Sequence, residues 1–284
     1  MIYSKQQLPV AFTCSAEYFS VKDTLECGQV FRYYDLGDGY YGVFSRDKYA
    51  QLFTENDKVV VQTQDGDYFR NYFDVDNDYA ETVAYISAIS PLMKQAAECG
   101  KGIRILRQDP TETLYSFMIS ANNNIKRIQQ IVERLCVGAG NETQFGYTFP
   151  TREKLGNMPQ EFFSSLGAGY RDKFLYETSR RTLDYDIAAL AKEDTATARK
   201  ELLTFKGVGP KVADCILLFG LNHGDVFPVD TWLKKVYHAY FESGLADSAI
   251  SDFFCGLFGK YAGLCQQYLF YFQRKYRQTQ INNV

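Results

Sequence analysis

The sequence predicts an α+β fold, with an antiparallel β-sheet domain and its linking helices over residues 1–104 and an all-helical domain over 105–284. Three observations predict it. Short Tyr-, Phe- and Val-rich runs fill the first 65 residues, with Asp/Gly turns between them. From Asp67 the apolar residues shift to helical spacing. From Asp109 onward every periodic segment reads as a helix, which separates strands from helices along the chain.

Taken in order, FRYYD (31–35), GYYGVFS (39–45), YAQLF (49–53) and KVVVQT (58–63) form a meander, punctuated by Asp38-Gly39 and Asp65-Gly66. Tyr68, Phe69, Tyr72 and Phe73 then share one helical face. A helix is expected over 80–99, ending near Gly100 and Gly102. Asp109-Pro110-Thr111-Glu112 has the form of a helix start: an N-cap Asp, proline at the first helical position and Glu at the third. The segment after Asn124 carries apolar residues at 125, 128, 131, 132 and 135, an amphipathic pattern. Further helices are expected over 159–166, 171–183, 195–205, 211–221, 231–242, 246–257 and 261–276.

Composition narrows the function classes. With 46% apolar and 23% charged residues the chain is ordinary globular material, although 22 Tyr and 22 Phe against one Trp make it unusually aromatic. No stretch approaches the roughly 18 apolar residues of a membrane helix, and no basic-then-apolar leader opens the sequence, so a soluble, monomeric protein of a prokaryotic cytoplasm is expected. Seven cysteines include no C-x-x-C pair, and only two histidines are present, which argues against a disulfide framework, a zinc site or a Cys/His nucleophile. Residues 1–100 hold 8 Lys and Arg against 15 Asp and Glu; residues 101–284 hold 23 against 19. The basic excess sits in the back half and is too weak to mark a nucleic-acid surface alone.

The segment 202–236, LLTFKGVGPKVADCILLFGLNHGDVFPVDTWLKKV, carries the chemistry. A helix ends at Phe205, Gly207-Val208-Gly209 turns the chain, and Pro210 opens a new helix. The N–H groups of such a turn and helix start form an anion site suited to a DNA phosphate. Taken alone, the turn is an ordinary helix–turn–helix connection with a glycine cap. Lys211 lies in the first turn of the new helix, where the dipole and N–H groups disfavour its charged form, and a neutral amine is a nucleophile. The plainer role is a surface lysine holding a phosphate. Asp230, after Pro228, opens the helix TWLKKVYHAYF and reads first as its N-cap. One carboxylate can cap a helix and serve a reaction together.

GVGPKVADC followed by FPVD resembles the helix-hairpin-helix (HhH-GPD) DNA glycosylase superfamily, and a lysine at 211 is similar to its bifunctional branch. Five strings in order resemble the 8-oxoguanine DNA glycosylase/lyase family over nearly the whole chain: LECGQVFRYY (25–34), GIRILRQDPTETLYSFMISANNNIKRI (102–128), LGAGYR (166–171), KVADC (211–215) and YAGLCQQYLFYF (261–272). The resemblance implies a TBP-like front sheet and a duplex DNA partner containing 8-oxoguanine, whose damaged nucleotide is flipped into a pocket. It implies that Lys211 attacks the sugar C1′, displaces the base and forms a Schiff base that eliminates the 3′ phosphate. Asp230 stabilises the developing positive charge on the sugar. Gly28 matches the position whose carbonyl reads the N7–H of the lesion, Gln266 the residue on the base's pairing edge, and Phe270 and Cys215 the walls on its two faces. Asn122 matches the residue filling the gap left by the flipped base, Arg127 and Arg171 the contacts to the orphaned cytosine, and Tyr170 the wedge. Gly207, Gly209, Val212 and Trp232 fall at positions that meet the DNA backbone. No cofactor or metal is implied, beyond room for a monovalent cation at the hairpin.

Residue by residue, plainer roles stand beside these: Gly28 as a turn glycine, Phe270 as core, Cys215 as a small buried hydrophobe, one of Asn122 to Asn124 as an N-cap. The sequence also departs from the family's animal members at Trp232, where they usually have His, at Gln273, often Asp there, and at Lys206, which replaces Pro. These departures bear on phosphate contacts and opposite-base choice and leave the pair Lys211 and Asp230 intact. With an acidic front half, DNA contact is expected mainly through the helical part. The alternatives are a glycosylase for oxidised pyrimidines or alkylated bases, or a non-catalytic DNA-binding hairpin.

Overall fold

The computed structural model describes residues 3–241 and 244–282, with side chains as far as Lys275. Strands β1 (Val10–Ser15), β2 (Tyr33–Gly37), β3 (Tyr40–Ser45), β4 (Lys48–Glu55) and β5 (Lys58–Thr63) form one antiparallel sheet in the order β1-β5-β4-β3-β2. The expected meander is therefore present as β2 to β5, and β1 extends it on the far side of β5, pairing Phe12 with Val61 and Cys14 with Val59. That edge strand escaped the sequence pattern because VAFTCS is half polar and largely exposed. The tight turns sit where left-handed backbone is tolerated: Asp38-Gly39 between β2 and β3, and Asn56-Asp57 between β4 and β5. Asp65-Gly66 instead begins a helix.

Helix α1 (Val21–Glu26) follows β1, and α2 (Gly66–Tyr72) closes the sheet's apolar face with Phe69 and Tyr72. Phe19, Val43, Leu52, Val59, Val61, Phe73 and Leu106 complete that core. The helix expected over 80–99 is two helices, α3 (Tyr79–Ile89) and α4 (Pro91–Gly100). Proline at 91 forces Ser90 out of helical backbone, to φ −163 and ψ 161, and the Ser90 hydroxyl then caps α4 by accepting from the Met93 amide.

The remaining helices are α5 (Pro110–Ser120), α6 (Ile125–Ala139), α7 (Arg152–Gly156), α8 (Gln160–Ser165), α9 (Asp172–Arg181), α10 (Thr195–Leu202), α11 (Pro210–Gly220), α12 (Thr231–Tyr240), α13 (Ile250–Phe258) and α14 (Ala262–Asn282). A small hairpin, Glu142–Thr143 with Gly146–Tyr147, interrupts them. The expected start at 171 is a short 3₁₀ turn, Gly169–Arg171, before α9. The expected end at 242 lies outside the described residues. Asp109 caps α5 as anticipated, with its carboxylate accepting from the Glu112 amide. Glu112 does not close a capping box. It is buried and meets Arg32 at 3.3 Å, which fixes the start of β2 against α5.

The helices build two cores. One gathers α5, α6, α9 and α11 around Phe117, Ile131, Leu175 and Ile216. The other joins α3 and α4 to α12, α13 and α14 around Ile86, Met93, Phe227, Phe254 and Tyr268. Among the described residues no helix is long and apolar enough to cross a membrane, and no cluster of three or more His, Cys, Asp or Glu is arranged to hold a metal ion.

Candidate active site at the seam of the two helical cores

Helix α11 belongs to the first core and α14 to the second, and a cavity lies where they face each other. Cys27, Gly28, Phe117, Lys211, Cys215, Phe219, Pro228, Asp230, Gln266, Gln267 and Phe270 line it. Six of these, Gly28, Lys211, Cys215, Asp230, Gln266 and Phe270, are the residues singled out from sequence for nucleophilic chemistry and base recognition. They come from the loop after α1, from α11, from the start of α12 and from α14. The cavity measures about 60 Å³, room for a few water-sized molecules. Four larger clefts, of about 390 to 530 Å³, lie elsewhere and contain neither Lys211 nor Asp230. Chemistry, not size, identifies the site.

Each residue is placed by its local structure. Pro210 opens α11 at its first position and leaves Lys211 one residue into the helix, with no side chain capping the turn's N–H groups. One helical turn on, Cys215 faces the same way; burial pushes its thiol up to about 11, outweighing the neighbouring Lys211, so it remains a neutral wall. The Lys211 Nζ lies 5.4 Å from the Phe117 ring centroid, and Phe117 stacks on Phe219 at 5.4 Å. Asp230 caps α12, accepting from the amides of Trp232 and Leu233, both at 2.9 Å. The loop before it is held in turn: the Ser251 hydroxyl donates to the Phe227 carbonyl at 2.9 Å and to Asp214, which pairs with Arg199 at 2.8 Å.

Gly28 has φ +94, a backbone conformation that side chains disfavour. Its loop is pinned by Gln29, fully buried, whose amide donates to the carbonyls of Thr24 and Arg104 and accepts from the Leu106 amide. On α14, Gln266 is 6% exposed and its side-chain carbonyl oxygen has no hydrogen-bond partner. Gln29, Gln267, Phe117 and Phe219 were missed from sequence. The two phenylalanines sit in apolar runs that look like core, and Gln267 lies off the i, i+4 row that 266 and 270 share.

The residues expected to meet DNA gather nearby on the surface. Asn122 adopts φ 49 and is exposed, Asn124 caps α6 through the Arg127 amide at 3.0 Å, and Tyr170 is 60% exposed. The Arg127 guanidinium, exposed, reaches the Gly167 carbonyl at 3.3 Å. Arg171 departs from expectation. It is 5% exposed, and its guanidinium donates to the carbonyls of Ala168, Ala121 and Asn122. Its fork ties the LGAGYR loop to the Asn122 turn instead of presenting donors outward. Gly207 has φ +86, and a Cβ there would stand 2.6 Å from Phe174. Gly209 caps α11 in extended backbone with open space around it. Val212 is buried in the core, which leaves only its backbone N–H for a ligand. Trp232 packs on the second core with Lys235 over its ring at 5.4 Å.

The chain is similar to several known proteins. Residues 11–114 match the model of the 8-oxoguanine DNA glycosylase N-terminal domain. The N-glycosylase/DNA lyase of Saccharomyces cerevisiae is 39% identical over 154 residues, 48% of this chain and 41% of that protein. N-glycosylase/DNA lyase OGG1 of Arabidopsis thaliana is 32% identical over 218 residues, 70% of this chain and 60% of that one. These matches therefore span less than two thirds of either relative's length. A solved structure of the Clostridium acetobutylicum 8-oxoguanine glycosylase/lyase, in complex with double-stranded DNA containing cytosine opposite 8-oxoguanine, superposes with a TM-score of 0.87 at 36% identity, covering 92% of this chain and 93% of that one.

Proposed function

The chain belongs to the 8-oxoguanine DNA glycosylase family, and on that premise we propose that it is a bifunctional base-excision-repair enzyme that excises 8-oxoguanine from duplex DNA and then nicks the strand. The observation that carries this reading is the convergence of Lys211, Asp230, Gly28, Cys215, Gln266 and Phe270 on one cavity. A nucleophilic amine, a carboxylate and a base-sized recognition surface together are what excision followed by elimination needs, and a phosphate clamp needs none of the last.

In the proposed reaction the flipped nucleotide's base lies against Phe270 on one face and the neutral Cys215 thiol on the other. Gln266 meets the pairing edge, and the backbone at Gly28 approaches the imidazole edge, where 8-oxoguanine has N7–H and guanine an acceptor. The Lys211 amine forms a bond to C1′ as the bond to the base breaks, and the departing base takes a proton. Asp230 stabilises the positive charge that develops on the sugar. Loss of a 2′ proton from the resulting iminium then expels the 3′ phosphate and leaves the cut strand. Asn122, Arg127 and Tyr170 fill the gap and meet the orphaned cytosine. Arg171 braces their loops, and the Gly207 to Val212 backbone takes a phosphate at the start of α11. Trp232 lies beside the strand next to Asp230. A monovalent cation at the hairpin would draw on backbone carbonyls, since residues 205–209 carry no acidic side chain. Seven free cysteines suit a reducing compartment, and we place the enzyme, as a monomer, in a prokaryotic cytoplasm.

The test is a set of duplexes carrying one 8-oxoguanine, one thymine glycol or one 3-methyladenine each. Release of free base and a nick on the 8-oxoguanine duplex are expected. Excision confined to one of the other two, or binding with no release from any, would replace this reading.

A further inference from the structure

Gln267 follows Gln266 on α14, is 4% exposed and lines the same cavity as Lys211 and Asp230. Four glutamines are buried among the described residues: Gln29, Gln51, Gln266 and Gln267. The first two are held by the fold. Gln29 bonds through both ends of its amide, and Gln51 donates to Gln62 and accepts from the Gln6 amide. The other two have side-chain carbonyl oxygens with no partner, and these are the two that line the cavity.

A buried amide oxygen without a donor costs on the order of 1–3 kcal/mol. Two such oxygens, on adjacent residues that line one cavity, are candidates to meet donors that arrive with a ligand. The pairing edge of a guanine-type base presents two adjacent donors, N1–H and the 2-amino group, whereas adenine presents one donor beside an acceptor. One carbonyl oxygen shared by both donors accepts each at a bent angle, whereas two oxygens let both bonds run straight. We propose that Gln267 is a second base-reading residue, accepting from the 2-amino group while Gln266 accepts from N1–H, so that the site selects purines bearing both donors. The inference rests on the proposed excision of 8-oxoguanine.

The experiment compares single-turnover release of 8-oxoguanine and of 8-oxohypoxanthine, which lacks the 2-amino group, each opposite cytosine. Cleavage of a preformed abasic site is measured alongside. Wild type is expected to favour 8-oxoguanine by about tenfold, the worth of one buried hydrogen bond. Gln267→Leu is expected to bring that ratio close to one, by losing more on 8-oxoguanine than on either 8-oxohypoxanthine or the abasic site. Gln267→Met, of similar length and without the amide, gives the same comparison should the leucine variant fold poorly. An unchanged ratio, or equal losses on all three substrates, would overturn the assignment. If wild type cleaves abasic DNA but releases no 8-oxoguanine, the substrate reading itself fails and takes this inference with it. A wild type that releases both lesions equally would overturn the role of Gln267 alone.

Discussion

Single residues in this site carry two duties that substitution can separate. Asp230 both caps α12 and faces the cavity. Asparagine caps a helix about as well as aspartate, so Asp230→Asn is expected to keep folding stability within about 0.5 kcal/mol. Excision should still fall by about 10²–10³, because the charge opposite the sugar is gone. Asp230→Ala should lose about 1 kcal/mol of stability as well. Urea unfolding and single-turnover rates check both, and an active Asp230→Asn would reduce Asp230 to a cap. Gln266→Ala should raise KM on the lesion duplex more than it slows cleavage of a preformed abasic site, and equal losses on both would remove its base-reading role. At this scale the helix-start positions of Lys211 and Asp230 were legible from the sequence, whereas their proposed roles rest on the family resemblance. Arg171 was not legible. Its motif is the same whether the guanidinium faces DNA or, as here, bonds three carbonyls of its own chain, and only tertiary packing decides.

The hairpin is the element proposed to meet a DNA phosphate, and its two glycines do different work. Gly207 combines a left-handed backbone with a Phe174 contact that leaves no room for a methyl group. Gly207→Ala is therefore expected to cost about 1–3 kcal/mol in unfolding. Gly209 is extended and open on the side where a Cβ would stand. Gly209→Ala should leave stability within about 0.5 kcal/mol yet weaken duplex binding, since the added methyl group stands where the proposed phosphate contact lies. If binding by Gly209→Ala is unchanged at low salt, the turn does not approach a phosphate. The turn and the start of α11 were readable from GVGP alone, whereas the break between α3 and α4 passed unseen. The apolar spacing runs on across Ser90 and Pro91, and the proline's effect on the residue before it outweighs that periodicity.

Across the whole molecule, the strand-rich front and helical back are bound by buried polar links that composition cannot reveal. Arg32 and Glu112 join the start of β2 to α5 with both side chains inaccessible. The fold class was legible because strand and helix periods occupy separate stretches. The sharing of one core between α3, α4 and α14 was not, since it depends on contacts between segments far apart in sequence. Asp214 offers a global test. Burial raises its carboxyl to about 6, against Arg199 and Ser251, which lower it. A carboxyl raised on folding binds its proton more tightly in the native state, so its contribution to stability is greatest in acid and declines as pH rises from about 4 to 6. The Tm advantage of wild type over Asp214→Asn should accordingly be larger at pH 4 than at pH 7. A difference independent of pH would show that Asp214 is not shifted.

The most direct measurement is borohydride trapping on a duplex with one 8-oxoguanine opposite cytosine, run beside Lys211→Gln. Wild type is expected to form a covalent protein–DNA adduct. The variant should form none and lose excision and nicking by at least about 10³ while still binding the lesion duplex, because flipping and pocket contacts do not need the amine. An adduct that persists in Lys211→Gln, or a variant that turns over like wild type, would contradict the assignment of Lys211 as the nucleophile.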